Sequence, residues 1–343
     1  MSDQRTATPP DSRTGSHLVA EALADSMEHD ESIIVFGEDV AQLGGVFGAT
    51  RRLARRFGDD RVFDTPISET AFIGMAVGAA QAGLTPVVEL MFVDFIGVCF
   101  DQVLNQMAKN HYMSGGEVKL PLVLRTAVGC IGSAAQHSQV LSATFAHIPG
   151  LKVVFPGTPG DLQGMLLSAL RDGNPVVFLE HKKLLKTRVA DLPYNDVPPP
   201  RSLSAPVPFG RLRRVVDGSD LTIVTVGWMV QLAHLAAAEL SAEGISAAIV
   251  DLRTLVPLDR EGLLREASRT SRMLIVDEDY RDFGFTGEVM AIIAESLGKD
   301  APLMSRIAPS VPIPASLVLE EEVVPSAASI AAAARNLLIK DVR

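Results

Sequence analysis

Short, unbroken apolar runs bounded by proline, glycine or acidic residues recur along this chain, and they restrict its architecture more than any other feature. "SIIVFGED", "TPVVEL", "LPLVLRT", "LKVVFP" and "NPVVFLE" occupy the first half, and "LTIVTVG", "SAAIVDLRT" and "RMLIVDED" the second. A run without polar alternation is a strand buried on both faces, and such strands belong to parallel sheets covered by helices. Helical patterns lie between the runs: "SHLVAEALADSMEHD", a helix opened by Glu69, "DFIGVCFDQVLNQMAKNHYM", "DLQGMLLSALRDG", "VQLAHLAAAELSAEG" and "TGEVMAIIAESLG". The alternation predicts an α/β fold built on a doubly wound parallel sheet. It stops at "ADLPYNDVPPPRSLSAPVPFG", which is proline-rich and too polar to bury. The expected organisation is therefore a loose tail over 1–15, an α/β domain over 16–190, a linker over 191–210 and a second α/β domain over 211–343.

Composition narrows the function classes. At 343 residues with 47% hydrophobic content, the chain can bury two cores. Its net charge of -10 argues against nucleic acid or an anionic membrane surface as principal partner. The basic run "RRLARR", Arg51 to Arg56, reads as a solvated helix face. Two cysteines, Cys99 and Cys130, make neither a disulfide framework nor a metal cluster and fit a reducing cytoplasm. No run approaches a membrane span, and the polar first 15 residues lack the apolar core of a secretory signal.

In an open parallel sheet, ligands bind at the carboxyl ends of the strands. Glu69 follows "RVFDT", Asp94 and Phe95 follow "TPVVELMF", and "AVGCIGSAAQHSQ", which contains His137, follows "LPLVLRT". A carboxylate, an aromatic ring and an imidazole thus face one edge. Each also has an ordinary explanation. An acidic residue suits a helix first turn, with Ser68 as cap; a loop histidine can be merely hydrogen-bonded, and a phenylalanine can be core. Against the first explanation, Glu69 opens "ETAFIGMAVGAAQAG", apolar on nearly every side and expected to be buried. A carboxylate is costly there unless it is paired or used.

Other motifs are missing. "GEDVAQLGGVFGA" matches neither G-x-G-x-x-G nor G-K-[ST], and the chain has no G-x-S-x-G or H-E-x-x-H. His17, His29, His147 and His234 stand singly, with no zinc spacing.

The ordered set "GEDVAQLGGVFGAT", "RVFDTPISE", "FDQVLNQMAKNHYMSGG", "AAQHSQ", "FAHIPGLKVVFPGTP", "RDGNPVVFLEHK", "AIVDLRTLVPLD" and "APSVPIPASLVLEEEVVPS" resembles the beta subunit of thiamine-diphosphate-dependent 2-oxo acid dehydrogenases, over roughly residues 16 to 340. The text is closest to acetoin and pyruvate members. Branched-chain members are further off, since they tend to carry tyrosine where Gln136 stands. Two departures concern substrate or partner preference: "DEDYRDFGFTGEVM" replaces Gly-Gly-rich text, and "VLSATFAHIPG" lacks a frequent glutamate.

The resemblance implies a pyrimidine-binding transketolase-like domain followed by a transketolase C-terminal-like domain. It implies that Glu69 contacts the pyrimidine nitrogen of thiamine diphosphate, with Phe95 stacked on that ring, and that Ile67, Met91 and Gln136 line the cofactor. His137 then serves proton transfer at the reacting centre. Burial raises a carboxyl pKa, which makes proton sharing with the ring nitrogen feasible near neutrality. The family's Mg²⁺ and diphosphate ligands sit in a G-D-G sequence, absent here, so an alpha subunit must supply them in an α2β2 assembly. A potassium ion is implied at Leu122, Ala169, Leu170, Asp172 and Asn174, where an ordinary helix-capping turn fits equally. The implied reaction is oxidative decarboxylation of a 2-oxo acid, or cleavage of acetoin, with acyl transfer to the lipoyl group of an acyltransferase core. A transketolase-type transferase is the alternative enzyme, disfavoured by the missing G-D-G. A non-catalytic scaffold is the other alternative, disfavoured by the joint presence of Glu69 and His137.

Overall fold

A computed structural model describes residues 11–196 and 205–340. Residues 1–10 of the expected tail, 197–204 of the expected linker and 341–343 lie outside the described residues. The apolar runs become strands as their sequence requires. The first sheet contains β1 (Ile33–Gly37), β2 (Val62–Asp64), β3 (Thr85–Leu90), β4 (Val123–Val128), β5 (Lys152–Val154) and β6 (Val176–His181), all parallel, and β3, β4 and β6 are buried at every position. The second contains β7 (Arg213–Val216), β8 (Leu221–Thr225), β9 (Ala247–Asp251), β11 (Arg272–Val276) and β12 (Leu303–Ile307), in the order β12-β11-β8-β9-β7. The edge strands β7 and β12 carry no unbroken apolar run. They are half-buried throughout, which is why they accept polar residues, Arg213 and Arg214 in β7 and Ser305 and Arg306 in β12.

"SAAIVDLRT" is not one strand. It ends as β9 at Asp251, turns at Arg253 with φ +62°, and restarts as β10 (Thr254–Val256). β10 leaves its own sheet and pairs antiparallel with β5, so the first sheet runs β10-β5-β6-β4-β3-β1-β2. The second half of the chain thereby contributes a strand to the first half's sheet.

Two helical expectations need correction. "DFIGVCFDQVLNQMAKNHYM" is broken into a 3-10 turn (Val93–Phe95), a helix (Ile96–Asp101), a wide π turn (Gln102–Met107) and a last short turn (Asn110–Met113). The cause is a neighbour. The Thr70 hydroxyl donates to the Val98 carbonyl at 2.6 Å, the carbonyl a regular helix would offer to the Gln102 N–H, and Gln102 bonds to Cys99 instead. The Glu69–Gln81 helix is not buried all round: Phe72, Ile73, Ala76, Val77 and Ala80 face the core, whereas Ala71, Met75 and Gly78 are exposed.

Candidate active site

Five strands of the first sheet lead directly into the candidate residues and their neighbours. Glu38 follows β1, the segment from Thr65 to Glu69 follows β2, Met91 to Phe95 follow β3, the loop from Gly129 to Leu141 follows β4, and Lys182 follows β6. Glu69, at 8% exposure, is buried at the head of its helix. No described residue donates a hydrogen bond to its carboxylate. Two groups feel its charge: Glu38 is pushed above the ordinary carboxylate range by burial and then by Glu69, and the Cys99 thiol is pushed up to about 12 by the same two causes. One Glu38 oxygen is buried without a partner. A buried carboxylate lacking a donor fits a ligand that brings its own N–H, as a protonated pyrimidine does.

His137 stands in an aromatic frame. Its ring meets Phe95 edge-on at 5.6 Å and Phe92 at 5.2 Å, and Phe92 and Phe47 are in edge contact at 5.9 Å. The structure brings Phe95 and His137 together as expected from their strand ends. Cys99, which feels Glu69, bonds through its thiol to the Phe95 carbonyl at 3.9 Å, tying the two groups. Met91 is half-buried and Gln136 exposed, while Ile67 is 83% exposed in the single chain. The remaining candidates lie elsewhere. Leu122, Ala169, Leu170, Asp172 and Asn174 gather at the amino edge of the sheet, where the Leu122 carbonyl accepts the Val176 N–H and the Ala169 carbonyl accepts the Asp172 N–H. Asp172 is already held by the Lys152 ammonium at 2.5 Å and by both N–H groups of Asn174. The turn thus carries a cation of its own, and a bound metal ion there would rest mainly on backbone carbonyls.

The loop from Gly129 to Leu141 is clamped from outside its own domain. Cys130 N–H donates to Glu278 at 2.7 Å, Gly132 N–H to Glu320 at 3.0 Å, and Ser142 and Ala143 donate to Asp279 at 3.1 and 3.2 Å. Within the first domain, Gln139 donates to Asp94 through its backbone and side chain at 3.3 and 2.9 Å. Lys182 donates to the Gly129 and His137 carbonyls. Gly129 has φ +89°, and a Cβ there would fall 2.0 Å from the His181 ring, so no other residue fits. His181 Nδ1 accepts the Lys183 N–H, which places the ring proton on Nε2 and makes its 2.7 Å contact to Glu278 a hydrogen bond from a neutral imidazole. Phe47, Phe92, Lys182, Glu278, Asp279 and Glu320 are absent from the sequence-based set; only the strand-end rule applied to "VFLEHK" could have found Lys182.

The arginines of the basic run, Arg51, Arg52, Arg55 and Arg56, are all exposed, as a solvated face requires. Arg51, Arg52 and Arg56 line a cleft of about 810 Å³ against Glu21, Asp25 and Glu28, and Arg56 is paired with Glu28. Phe47, which lines this cleft, also meets Phe92 in the frame around His137. No helix among the described residues is long and apolar enough to cross a membrane.

Comparisons with known proteins agree on the architecture. Residues 12–188 match the transketolase pyrimidine-binding domain and 210–330 the transketolase C-terminal domain. The chain is 44% identical to the beta subunit of acetoin:2,6-dichlorophenolindophenol oxidoreductase of Cupriavidus necator, covering 93% of this chain and 96% of that one. It is 39% identical to the pyruvate dehydrogenase E1 beta subunit of Rickettsia felis, covering 93% and 97%. It is 38% identical to the 2-oxoisovalerate dehydrogenase beta subunit of Bacillus subtilis, covering 92% and 95%. Among solved structures, a split-gene transketolase described as an inactive beta4 tetramer superimposes with a TM-score of 0.78 at 23% identity, over 95% and 98% of the two chains.

Proposed function

This chain belongs to the beta-subunit family of thiamine-diphosphate-dependent 2-oxo acid and acetoin dehydrogenases, and from that premise we propose that it is one half of a heteromeric dehydrogenase, cleaving acetoin or decarboxylating a pyruvate-type 2-oxo acid and passing the acyl unit to lipoamide. The observation that carries this reading is the buried Glu69 carboxylate, which has no donor of its own and stands beside Glu38, one linkage from the Phe95–His137 pair. When bound, thiamine diphosphate supplies the carbon nucleophile that attacks the substrate carbonyl. Glu69 holds the shared proton at the pyrimidine nitrogen. Phe95 orients the ring, with Met91, Ile67 and Gln136 as its other walls. His137, framed by Phe92 and Phe95, moves a proton at the reacting centre.

The half-site also accounts for the exposure of Ile67 and of the Ala71, Met75 and Gly78 face: both await an alpha subunit, which would bring the Mg²⁺ and diphosphate ligands that the G-D-G-free sequence lacks. The second domain then serves the subunit interface and the acyltransferase core. A potassium ion at the Asp172 turn would act on stability, at a distance from the chemistry. Two free, buried cysteines accord with a cytoplasmic enzyme.

The test is thiamine-diphosphate-dependent dye reduction with acetoin, pyruvate and branched-chain 2-oxo acids, on this chain alone and co-expressed with its G-D-G-bearing partner. Turnover only in the mixture, abolished by Glu69→Gln, supports the reading and names the substrate. Turnover by the single chain refutes it.

A further inference from the structure

We propose that Lys182 is a positioning residue of this site: its buried ammonium pins the start of the loop that carries His137, and the His137 backbone itself, and so sets where the imidazole stands. The inference rests on the reading that His137 acts at the reacting centre. Lys182 is 0% exposed and follows β6 directly, at the first position of the helix Lys182–Lys186. An ammonium has three hydrogens to place. The Gly129 carbonyl, at the loop's start, takes one at 3.1 Å; the His137 carbonyl takes a second; and the Phe92 ring lies under the nitrogen at 4.9 Å from its centroid. Phe92 is itself in edge contact with the His137 ring, so one cation touches both the backbone of the residue and a wall of its cage.

The charge is not needed to fill space. A buried ammonium is costly, and it forms no ion pair within 4.0 Å among the described residues. Its compensating charges stand off on three elements: Asp94 in the turn after β3, Glu278 after β11, and Glu320 in the helix Leu317–Val323, with the Cys130 thiol of the loop also facing it. Glu278 and Glu320 are the same carboxylates that hold Cys130 and Gly132. The loop's N–H groups are therefore held by anions of the second domain and its carbonyls by a cation of the first. Charge-assisted bonds of this kind are about twice as strong as neutral ones, and they fix a carbonyl position more sharply than a methylene could.

Burial pulls the Lys182 ammonium down to about 8, so the grip is expected to fail within an accessible pH range. Neutral amine donors are weaker, and the attraction to the Phe92 face disappears with the charge.

The experiment uses the holoenzyme reconstituted with its alpha subunit. Lys182→Met should lower kcat by about ten- to a hundred-fold, the penalty of a misplaced catalytic group, with KM within about two-fold and assembly intact. The wild-type fall in kcat above about pH 8 should vanish in the variant, a change that loss of packing alone would not produce. A variant with wild-type kcat and an unchanged alkaline limb overturns the proposal. If Lys182→Met does not fold, the wild-type enzyme decides: an alkaline limb near pH 8, moving down with temperature as an amine does, supports it, and a flat profile overturns it. Silence of the wild-type enzyme on every substrate defeats the functional reading and this inference with it. Activity that needs Glu69 but ignores Lys182 defeats this inference alone.

Discussion

Glu278 and Cys130 lie 148 residues apart in sequence, yet a Glu278 oxygen accepts the Cys130 N–H at 2.7 Å, and the other accepts the His181 ring N–H at the same distance. One carboxylate thus fastens the start of the His137 loop to the second domain. Glu278→Ala strands two buried donors and should lower stability by about 2–4 kcal/mol. Urea unfolding would register it, with kcat falling as the loop loosens. An unchanged midpoint would show that the clamp is unimportant.

Arg125 is 1% exposed and is shared by Glu180, at 2.9 and 2.6 Å, and Glu89, at 2.8 Å. Burial still holds the Glu180 carboxyl above its usual range, outweighing the guanidinium. Arg125→Met leaves two carboxylates facing each other in the core, and we expect a loss of about 3–5 kcal/mol in chemical denaturation. Changing both glutamates to glutamine in the same variant should recover much of it.

Asp251 accepts the Arg253 N–H at 2.9 Å through one oxygen, and its other oxygen is buried without a partner. Burial, then Asp161, raises its pKa to about 7, against the pull of Arg213 and Arg253. A raised folded-state value means the contribution to stability is fully present below about pH 4 and is lost as the pH rises through 7. The full swing is at most about 4 kcal/mol. Subtracting the stability–pH curve of Asp251→Asn from that of the wild type should isolate this fall; a flat difference would contradict it.

Gly78 sits on the exposed face of the Glu69 helix, and a Cβ built there meets nothing within 4 Å. Gly78→Leu should leave the single chain folded, at a helix-propensity gain of about 1 kcal/mol, while blocking assembly with the alpha subunit. Sedimentation of the mixture reads this out. Normal assembly would remove the face from the interface.

Much of the architecture was legible because a strand buried on both faces needs an unbroken apolar run, and such runs mark β1, β3, β6, β8 and β11. The half-buried edges β7 and β12 leave no such mark, and β10 hides inside the run of β9 until Arg253 turns the chain. The break at Cys99 depends on a hydroxyl in another helix, Thr70, which no local pattern contains. At the candidate site, the approach of Phe95 to His137 could be anticipated because strand ends fall in sequence order. Glu278, Asp279 and Glu320 could not, since their partners are more than 130 residues away. Lys182 belongs to no motif, and only its place directly after β6 hints at its contacts with the Gly129 and His137 carbonyls.

β10 makes the two halves of the chain mutually dependent. Thr254 and Val256 stand opposite Val154 and Val153, so a cut between residues 196 and 205 would sever the covalent path and leave the shared sheet intact. Two such fragments, expressed separately, would have reason to find each other: the first offers the open edge of β5 and the second the strand that covers it. Reassembly of such fragments would report on the fold, and exchanging either half with a relative requires that the β5–β10 seam be matched as carefully as the candidate site.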